Sequence, residues 1–386
     1  MMAGLLFARA GVSVLVLEKH GDFLRDFRGD TVHPSTMEIL HQLGMLERFL
    51  KRPHSRVTQA RLTIAGKTLT IGELGRLNCA APFIAMMPQW EFLDFLKTEA
   101  ALYPSFRLEM VSEVADVHMV DGRVAGVDLA DGRSINARKL VIAADGRSSL
   151  VRCKQLLPVT DLGAPMDVFW FAVPKVEDGG DSLRGVVNAG NMMAMIDRKD
   201  YWQCALIIPK GQGDVMRAQG VKAMRERIIA TVPDIGPLDG VLTTMDQFHL
   251  LSVALDRLDC WSRPGLLAIG DAAHAMSPMG GIGINLAIQD AVAAANILAA
   301  PLRHAANVDR LLIAVEKRRL WPTKVIQAGQ KLGQERLIGA VFARGTDMKK
   351  APWPMRALNR FPLLRRIPGR IIGLGIRRER ATSPVA

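Results

Sequence analysis

At 386 residues and 49% hydrophobic, the chain has the composition of a soluble globular protein and can bury one large core or two modest ones. Its four cysteines, Cys79, Cys153, Cys204 and Cys260, lie far apart with no C-x-x-C spacing, a pattern that suggests neither a disulfide framework nor a zinc site and fits a reducing cytoplasm. The net charge of +12 belongs to one end: from Pro301 onward there are 19 Lys/Arg against 5 Asp/Glu, while the preceding 300 residues balance at −2.

The opening Met1–Arg9 run lacks a basic leader and carries Arg9 inside its apolar stretch, so it is not a signal peptide. Gly4–Arg9 reads as the tail of a helix, Gly11 as its stop, and Val12–Leu17 as a buried strand capped by Glu18. That is the second half of a βαβ unit whose first strand and G-x-G-x-x-G fingerprint are missing. The chain reads as starting inside the helix, with Met1 taken as an internal methionine in preference to a genuine truncation. Next, Arg28 sits in a Gly-flanked loop, either facing an anionic cofactor or simply solvated. A helix follows, opened by Pro34 and Ser35 and closed by Gly44. Arg56–Ala85 reads as short strands with turns at Ala65-Gly66 and at Gly72, and Gln89–Tyr103 as an amphipathic helix with Trp90, Leu93, Phe95 and Leu96 among its apolar residues.

Two Asp-Gly turns, Asp121-Gly122 and Asp131-Gly132, predict a three-stranded meander within Val111–Ala144. It runs into the strand Lys139–Ala144, which ends in Asp145-Gly146. Asp167–Pro174, Gly185–Ile196 and Tyr201–Pro209 read as long strands, Gly213–Ala230 as helix and Gln247–Leu255 as a returning strand, together a separate inserted sheet. Its Trp170, Trp202, Met193 and Met195 line an apolar pocket or form plain core.

The organising stretch is Gly265–Asp290. An apolar strand ends in Gly270-Asp271, passes through a loop holding Pro278, Gly281 and Gly283, and opens into an Ala-rich helix with Asn285 near its start. An aspartate there can accept hydrogen bonds from sugar-alcohol hydroxyls, and glycines let backbone N–H groups approach an anionic ring or phosphate. His274 is read as structural. Helices at Ala291–Leu302 and Val308–Gln330 follow, then a basic, Pro-punctuated tail. In that tail arginines alternate with Leu, Ile, Phe and Trp, which points first to a helical cap with a solvated basic face and second to a weak contact with an anionic membrane, not to nucleic acid. No membrane span is expected, because Asp290 interrupts the most apolar stretch. No Ser/His/Asp triad, G-x-S-x-G or H-E-x-x-H occurs, and the eight histidines form no metal-ligand cluster.

Glu18, Arg28-Gly29, Gln89, Asp145-Gly146 and Gly270-Asp271, in this order, resemble the flavin-dependent aromatic hydroxylases, the class related to p-hydroxybenzoate hydroxylase, over Met1 to about Leu302. The resemblance implies an α/β fold: a Rossmann-like FAD-binding domain with a β-meander (1–55, 89–155 and 259–302) interleaved with an α+β substrate domain (56–88 and 156–258), then a helical basic segment (303–386). It implies that Glu18 binds the adenosine ribose, that Arg28 and Gln89 contact the phosphate and ribityl region, and that Asp145 and Gly146 serve FAD and nicotinamide handling. Gly270 and Asp271 would hold the ribitol, and Pro278, Gly281, Gly283, Ile284 and Asn285 the isoalloxazine ring, with Pro278 a wall at the reacting edge. The implied activity is monooxygenation of an aromatic or quinone-like molecule by FAD, NADPH or NADH and molecular oxygen, through a flavin C4a-hydroperoxide. A cytoplasmic setting, open to peripheral contact at the inner membrane face, and a homodimer are compatible with it. The alternatives are a flavin reductase or dehydrogenase without oxygen transfer and a non-catalytic fragment. A halogenase is disfavoured, since Trp202–Pro209 lacks the second tryptophan of that class's strand.

Overall fold

The computed structural model describes residues 1–24, 31–175, 183–344 and 351–386. The first helix, Met2–Arg9, buries Leu5, Leu6 and Phe7, and Gly11 ends it with a φ of +78°. Gly4 faces the sheet so closely that a Cβ there would stand 2.7 Å from Val16 Cγ2, which is why a small residue belongs at that position. The strand after it, Val14–Leu17, starts two residues later than expected and pairs in parallel with Phe106–Glu109.

A second parallel pair joins Val141–Ala143 to Leu266–Ala268. The two pairs belong to separate sheets, yet Val14, Val141, Leu266 and Leu267 pack into one core with the first helix and the long helices Gly283–Arg303 and Asp309–Gly333. The meander forms as expected, as antiparallel strands Val114–Val120, Arg123–Leu129 and Ser134–Asn136. Asp121 and Gly122, both at positive φ, make the two-residue turn whose twist matches a hairpin.

The middle of the chain builds a seven-stranded sheet in the order His249–Leu251, Met166–Pro174, Tyr201–Pro209, Asn191–Asp197, Leu183–Asn188, Gln59–Ile64, Lys67–Glu73. Several expectations are corrected here. Gly185–Ile196 is a hairpin and not one strand, because Ala189 and Gly190 both take positive φ and reverse the chain. Gly72 is no turn: it lies within the last strand, where a Cβ would press Ala60 at 3.3 Å and the backbone of Gly369 at 3.8 Å. The returning strand shrinks to His249–Leu251, and the helix Gly213–Ala230 splits at Gly220, again at positive φ.

Strand alternation divides this sheet into two faces. Phe169, Phe171, Met193, Met195 and Leu206 pack beneath the helices at 213–231 with Met216, Met224 and Ile228, so Met193 and Met195 are core and line no pocket. The opposite face presents Val168, Trp170, Met192, Ala194, Ala205 and Ile207 toward Met279 and Phe342. Among the described residues one helical stretch, Met279–Arg303, made of a 3-10 turn and the Gly283–Arg303 helix, is long and apolar enough to cross a membrane by length and composition, but 67% of its most apolar window is buried inside the molecule.

Candidate cofactor site

The site grows from the ends of two neighbouring strands. Ile269 N–H donates to the Ala143 carbonyl at 3.0 Å, so the Asp145-Gly146 and Gly270-Asp271 turns leave the sheet side by side. Gly270 takes a φ of +61°, and a Cβ on it would lie 3.0 Å from Ala287 Cβ; only glycine passes under the long helix here. Asp271 is then half-exposed, and Arg147 of the neighbouring turn reaches it, Nε to Oδ2 at 3.3 Å. Arg147 also donates to the Met276 carbonyl at 3.4 Å, while its Nη1 is buried without a partner among the described residues. Arg152 works from behind, donating to the carbonyls of Asp271 and Ala272, each at 2.9 Å, and to Asp256 at 2.6 Å.

The Gly283–Arg303 helix opens directly onto this turn: a Cβ on Gly283 would lie 3.9 Å from Asp271 Oδ1. That helix has no capping side chain and no acid in its first turn, so its first N–H groups and the positive end of its dipole are left for an anion. The loop in front of it is fastened from both sides. Asn285 Oδ1 accepts from His33 N–H and from the Thr36 hydroxyl, both at 2.8 Å, while its Nδ2 donates to the carbonyls of Thr31 and Gly281, both at 3.2 Å. The Asn285 side chain is therefore fully engaged as a staple, and what it can offer a ring is its backbone N–H. Gln330 accepts from Ser277 N–H at 3.2 Å and donates to the Ser277 and Met279 carbonyls, holding the segment that carries Pro278. Gly281 N–H donates to the Pro278 carbonyl at 3.0 Å.

Beneath the turn lies a second, wholly buried set of charges. Asp290 accepts from Gly270 N–H at 3.1 Å and His274 Nε2–H at 2.6 Å on one oxygen, and from Arg319 Nε at 2.8 Å on the other. Arg319 continues to Glu379 at 3.3 Å, which Arg318 also meets at 3.0 Å. Burial alone would raise the Asp290 carboxyl, but His274 and Arg319 outweigh it and hold it below the usual carboxylate range. His274 is thus structural, as expected from its place beside the motif. His33 is buried too: its Nδ1–H donates to the Ile372 carbonyl at 2.8 Å, and desolvation pushes its pKa down to about 4 against the small lift from that bond.

Of the other residues singled out from sequence, Asp145 is exposed and accepts from Leu150 N–H at 2.8 Å, and Gly146 supplies the positive φ that brings Arg147 round. Glu18 ends its strand with Oε1 accepting from His20 N–H at 3.0 Å; Gln89 is the half-buried first residue of the Gln89–Ala100 helix. Ile284 is half-buried against the main core. Arg28, with Gly29, falls outside the described residues. Sequence reasoning missed Arg147, Arg152, Thr31, Gln330 and Arg319. The signal for Arg147 was its place right after Asp145-Gly146, and for Gln330 its three-residue spacing from Gln327, whose Nε2 donates to the Asp256 and Ala275 carbonyls at 2.8 and 3.2 Å.

The residues present fit FAD: an uncapped helix start, a buried guanidinium nitrogen without a partner and a half-exposed carboxylate surround one glycine turn. Among the described residues no group of His, Cys, Asp or Glu could hold a metal ion. A separate groove of about 560 Å³, lined by Arg61, Arg184, Trp202 and Asp234 among others, lies on the sheet face turned away from this turn.

A family model described as "FAD binding domain" matches residues 1–329. The chain is 32% identical over 349 residues to 6-methylpretetramide 4-monooxygenase of Streptomyces rimosus, covering 87% of this chain and 83% of that one. It is 29% identical over 301 residues to rifampicin monooxygenase of Streptomyces venezuelae, covering 75% of this chain and 60% of the relative's length. Among solved structures, PqsL of Pseudomonas aeruginosa, described as a probable FAD-dependent monooxygenase, superposes with a TM-score of 0.74 at 21% identity, over 90% of this chain and 96% of that one. The p-nitrophenol 4-monooxygenase PnpA of Pseudomonas putida does so with 0.71 at 20% identity, over 94% of each chain; these two likenesses are of fold.

Proposed function

We infer, from the premise that this chain belongs to the FAD binding domain family, that it is an FAD-dependent monooxygenase hydroxylating an aromatic or quinone-like small molecule with NADPH or NADH and molecular oxygen. Relatives named as monooxygenases support the reaction class. The observation that carries the reading is the Arg147–Asp271 pair beside the uncapped start of the Gly283–Arg303 helix. FAD, when bound, supplies the redox chemistry, taking a hydride and activating oxygen. The chain's part is to hold and orient it. Asp271 accepts from the ribityl hydroxyls, the backbone N–H groups of Gly283, Ile284 and Asn285 face the electron-rich ring, and Pro278 walls the edge where water must be excluded.

On this reading Glu18, Gln89 and Arg28 serve the adenosine and phosphate end. The substrate lies against the apolar face of Trp170, Met192, Ala194 and Ile207, opposite Met279 and Phe342. Trp170 Nε1 and Gln203 Nε2, on that same face, are buried donors without partners among the described residues, which suits a substrate bearing carbonyl or hydroxyl oxygens. A cytoplasmic enzyme with a peripheral membrane contact through its basic tail completes the reading.

The test is flavin absorbance of the purified chain beside its Asp271→Ala variant, followed by labelled-oxygen incorporation. A yellow parent and a colourless variant are expected; equal flavin in both removes Asp271 from the site. Nicotinamide oxidation without oxygen transfer to any aromatic tried points instead to a reductase.

A further inference from the structure

Between Ala351 and Arg378 the sequence has seven arginines and no acidic residue. This stretch folds as two short helices, Trp353–Arg360 and Arg366–Leu374, joined by a single turn at Pro362–Arg365. Its inner side is a fitted dock on the Lys67–Glu73 edge strand. Asn359 Oδ1 accepts from Thr70 N–H at 3.1 Å, Met355 packs with Leu62, Ile64 and Leu69, and Gly373 comes close enough that a Cβ would lie 2.8 Å from Leu77 Cδ1. Covering an edge strand is reason enough for that side to exist.

The outer side has no such explanation. Trp353 (73% exposed), Leu363 (70%), Ile367 (59%) and Phe361 (58%) stand in solvent with Leu364 and Ile371, and the exposed residues interleaved with them are Arg356, Arg360, Arg366 and Arg370 with Pro354 and Pro362. Six large apolar side chains from one continuous stretch, ringed by arginine alone, differ from singly scattered surface hydrophobics. Large apolar tips flanked by cations, on elements lying flat against a body, match the boundary between lipid headgroups and acyl chains.

We propose that this face docks the protein on an anionic lipid surface, with Trp353, Phe361, Leu363, Leu364, Ile367 and Ile371 entering the headgroup layer and Arg356, Arg360, Arg366 and Arg370 meeting the phosphates. Charge complementarity fixes the partner: four exposed arginines in a stretch with no acidic residue suit a negatively charged surface and oppose a second copy of the same face. The segment that carries this face reaches the candidate site by its inner side, since the Ile372 carbonyl accepts from His33 and His33 N–H in turn donates to Asn285. It deepens the reading above by naming the surface, while the docking itself rests on this face and not on flavin.

Vesicle flotation of the full chain tests it, using phosphatidylglycerol mixed with phosphatidylcholine against phosphatidylcholine alone. Binding to the anionic vesicles is expected to be at least about tenfold tighter, to weaken with salt, and to fall about fivefold for each arginine replaced in Arg366→Gln and Arg370→Gln. The pair Leu363→Ser and Ile367→Ser should release the protein at unchanged melting temperature, because both side chains are exposed. The Asp271→Ala protein should still bind, which separates docking from the flavin reading. Equal binding to neutral vesicles, no binding to either, or a dimer in sedimentation equilibrium that Leu363→Ser and Ile367→Ser dissolve would each overturn the proposal.

Discussion

Asp271 and Asp290 lie on opposite sides of one glycine turn, and each is paired with an arginine, yet the two pairs are different things. Asp290 and Arg319 are fully buried, their contact is 2.8 Å, and the carboxylate's other oxygen is taken by His274 and Gly270. Asp271 and Arg147 are about one-third exposed and touch once at 3.3 Å. A buried ion cannot lose its partner without leaving an uncompensated charge in low dielectric. A half-exposed ion can exchange its partner for water or a ligand at little cost. The rear pair therefore belongs to the fold, and the front pair is free to serve a cofactor.

The largest effect should come from breaking the rear pair. Arg319→Met leaves Asp290 and Glu379 buried with fewer partners, and a loss of about 3–5 kcal/mol is expected in urea denaturation; a loss below about 1 kcal/mol would mean that the network carries no structural weight. The next effect sharpens the picture by pH. His33 has a folded pKa of about 4, below its ordinary value of about 6.5. Its neutral form is the one folded, so its contribution is complete above about pH 6.5 and is lost as pH falls toward 4, on the order of 3 kcal/mol in all. His33→Asn, which can still donate to the Ile372 carbonyl, should flatten that slope. Asp290, held below the usual carboxylate range, acts in the next window down: its stabilisation is present above about pH 4 and is lost only as pH falls further. The smallest stability change belongs to the front pair, where Asp271→Ala should cost less than about 1 kcal/mol even as flavin retention collapses. A melting curve run beside the absorbance spectrum reads both.

Local chemistry was legible in the sequence, and remote chemistry was not. Gly4 and Gly11 around the first helix and the Asp121-Gly122 turn announce themselves within a few residues, because helix stops and tight turns are set by their own backbone. The Gly270-Asp271 motif was legible for the same reason. Its partner Arg147 was not: its place after Asp145-Gly146 marks it as near a strand end, but the contact spans 124 residues and nothing local names the carboxylate it will reach. Gly72 misled because a glycine can signal either a turn or a close approach, and here the approaching element is the helix around Gly369. Ala189 misled in the opposite way, an alanine at positive φ hiding a hairpin. Met193 and Met195 were ambiguous until sheet pairing fixed which face each occupies.

Asn285 joins its partners His33 and Thr36 across 252 and 249 residues, and Gln42 meets Ala381 across 339. Contacts so far apart in sequence slow folding, because long loops must close before they are rewarded. During synthesis at roughly 5–20 residues per second, Leu5, Leu6 and Phe7 would wait on the order of 15–60 s before the long helix that covers them emerges. For that interval the Gln89–Ala100 helix and the neighbouring strands can cover only part of the first helix, and the side that meets the long helix is an exposed apolar surface on a nascent chain. Yield should therefore respond to chaperone supply and to slower, cooler expression more than to any change at the protein's finished surface.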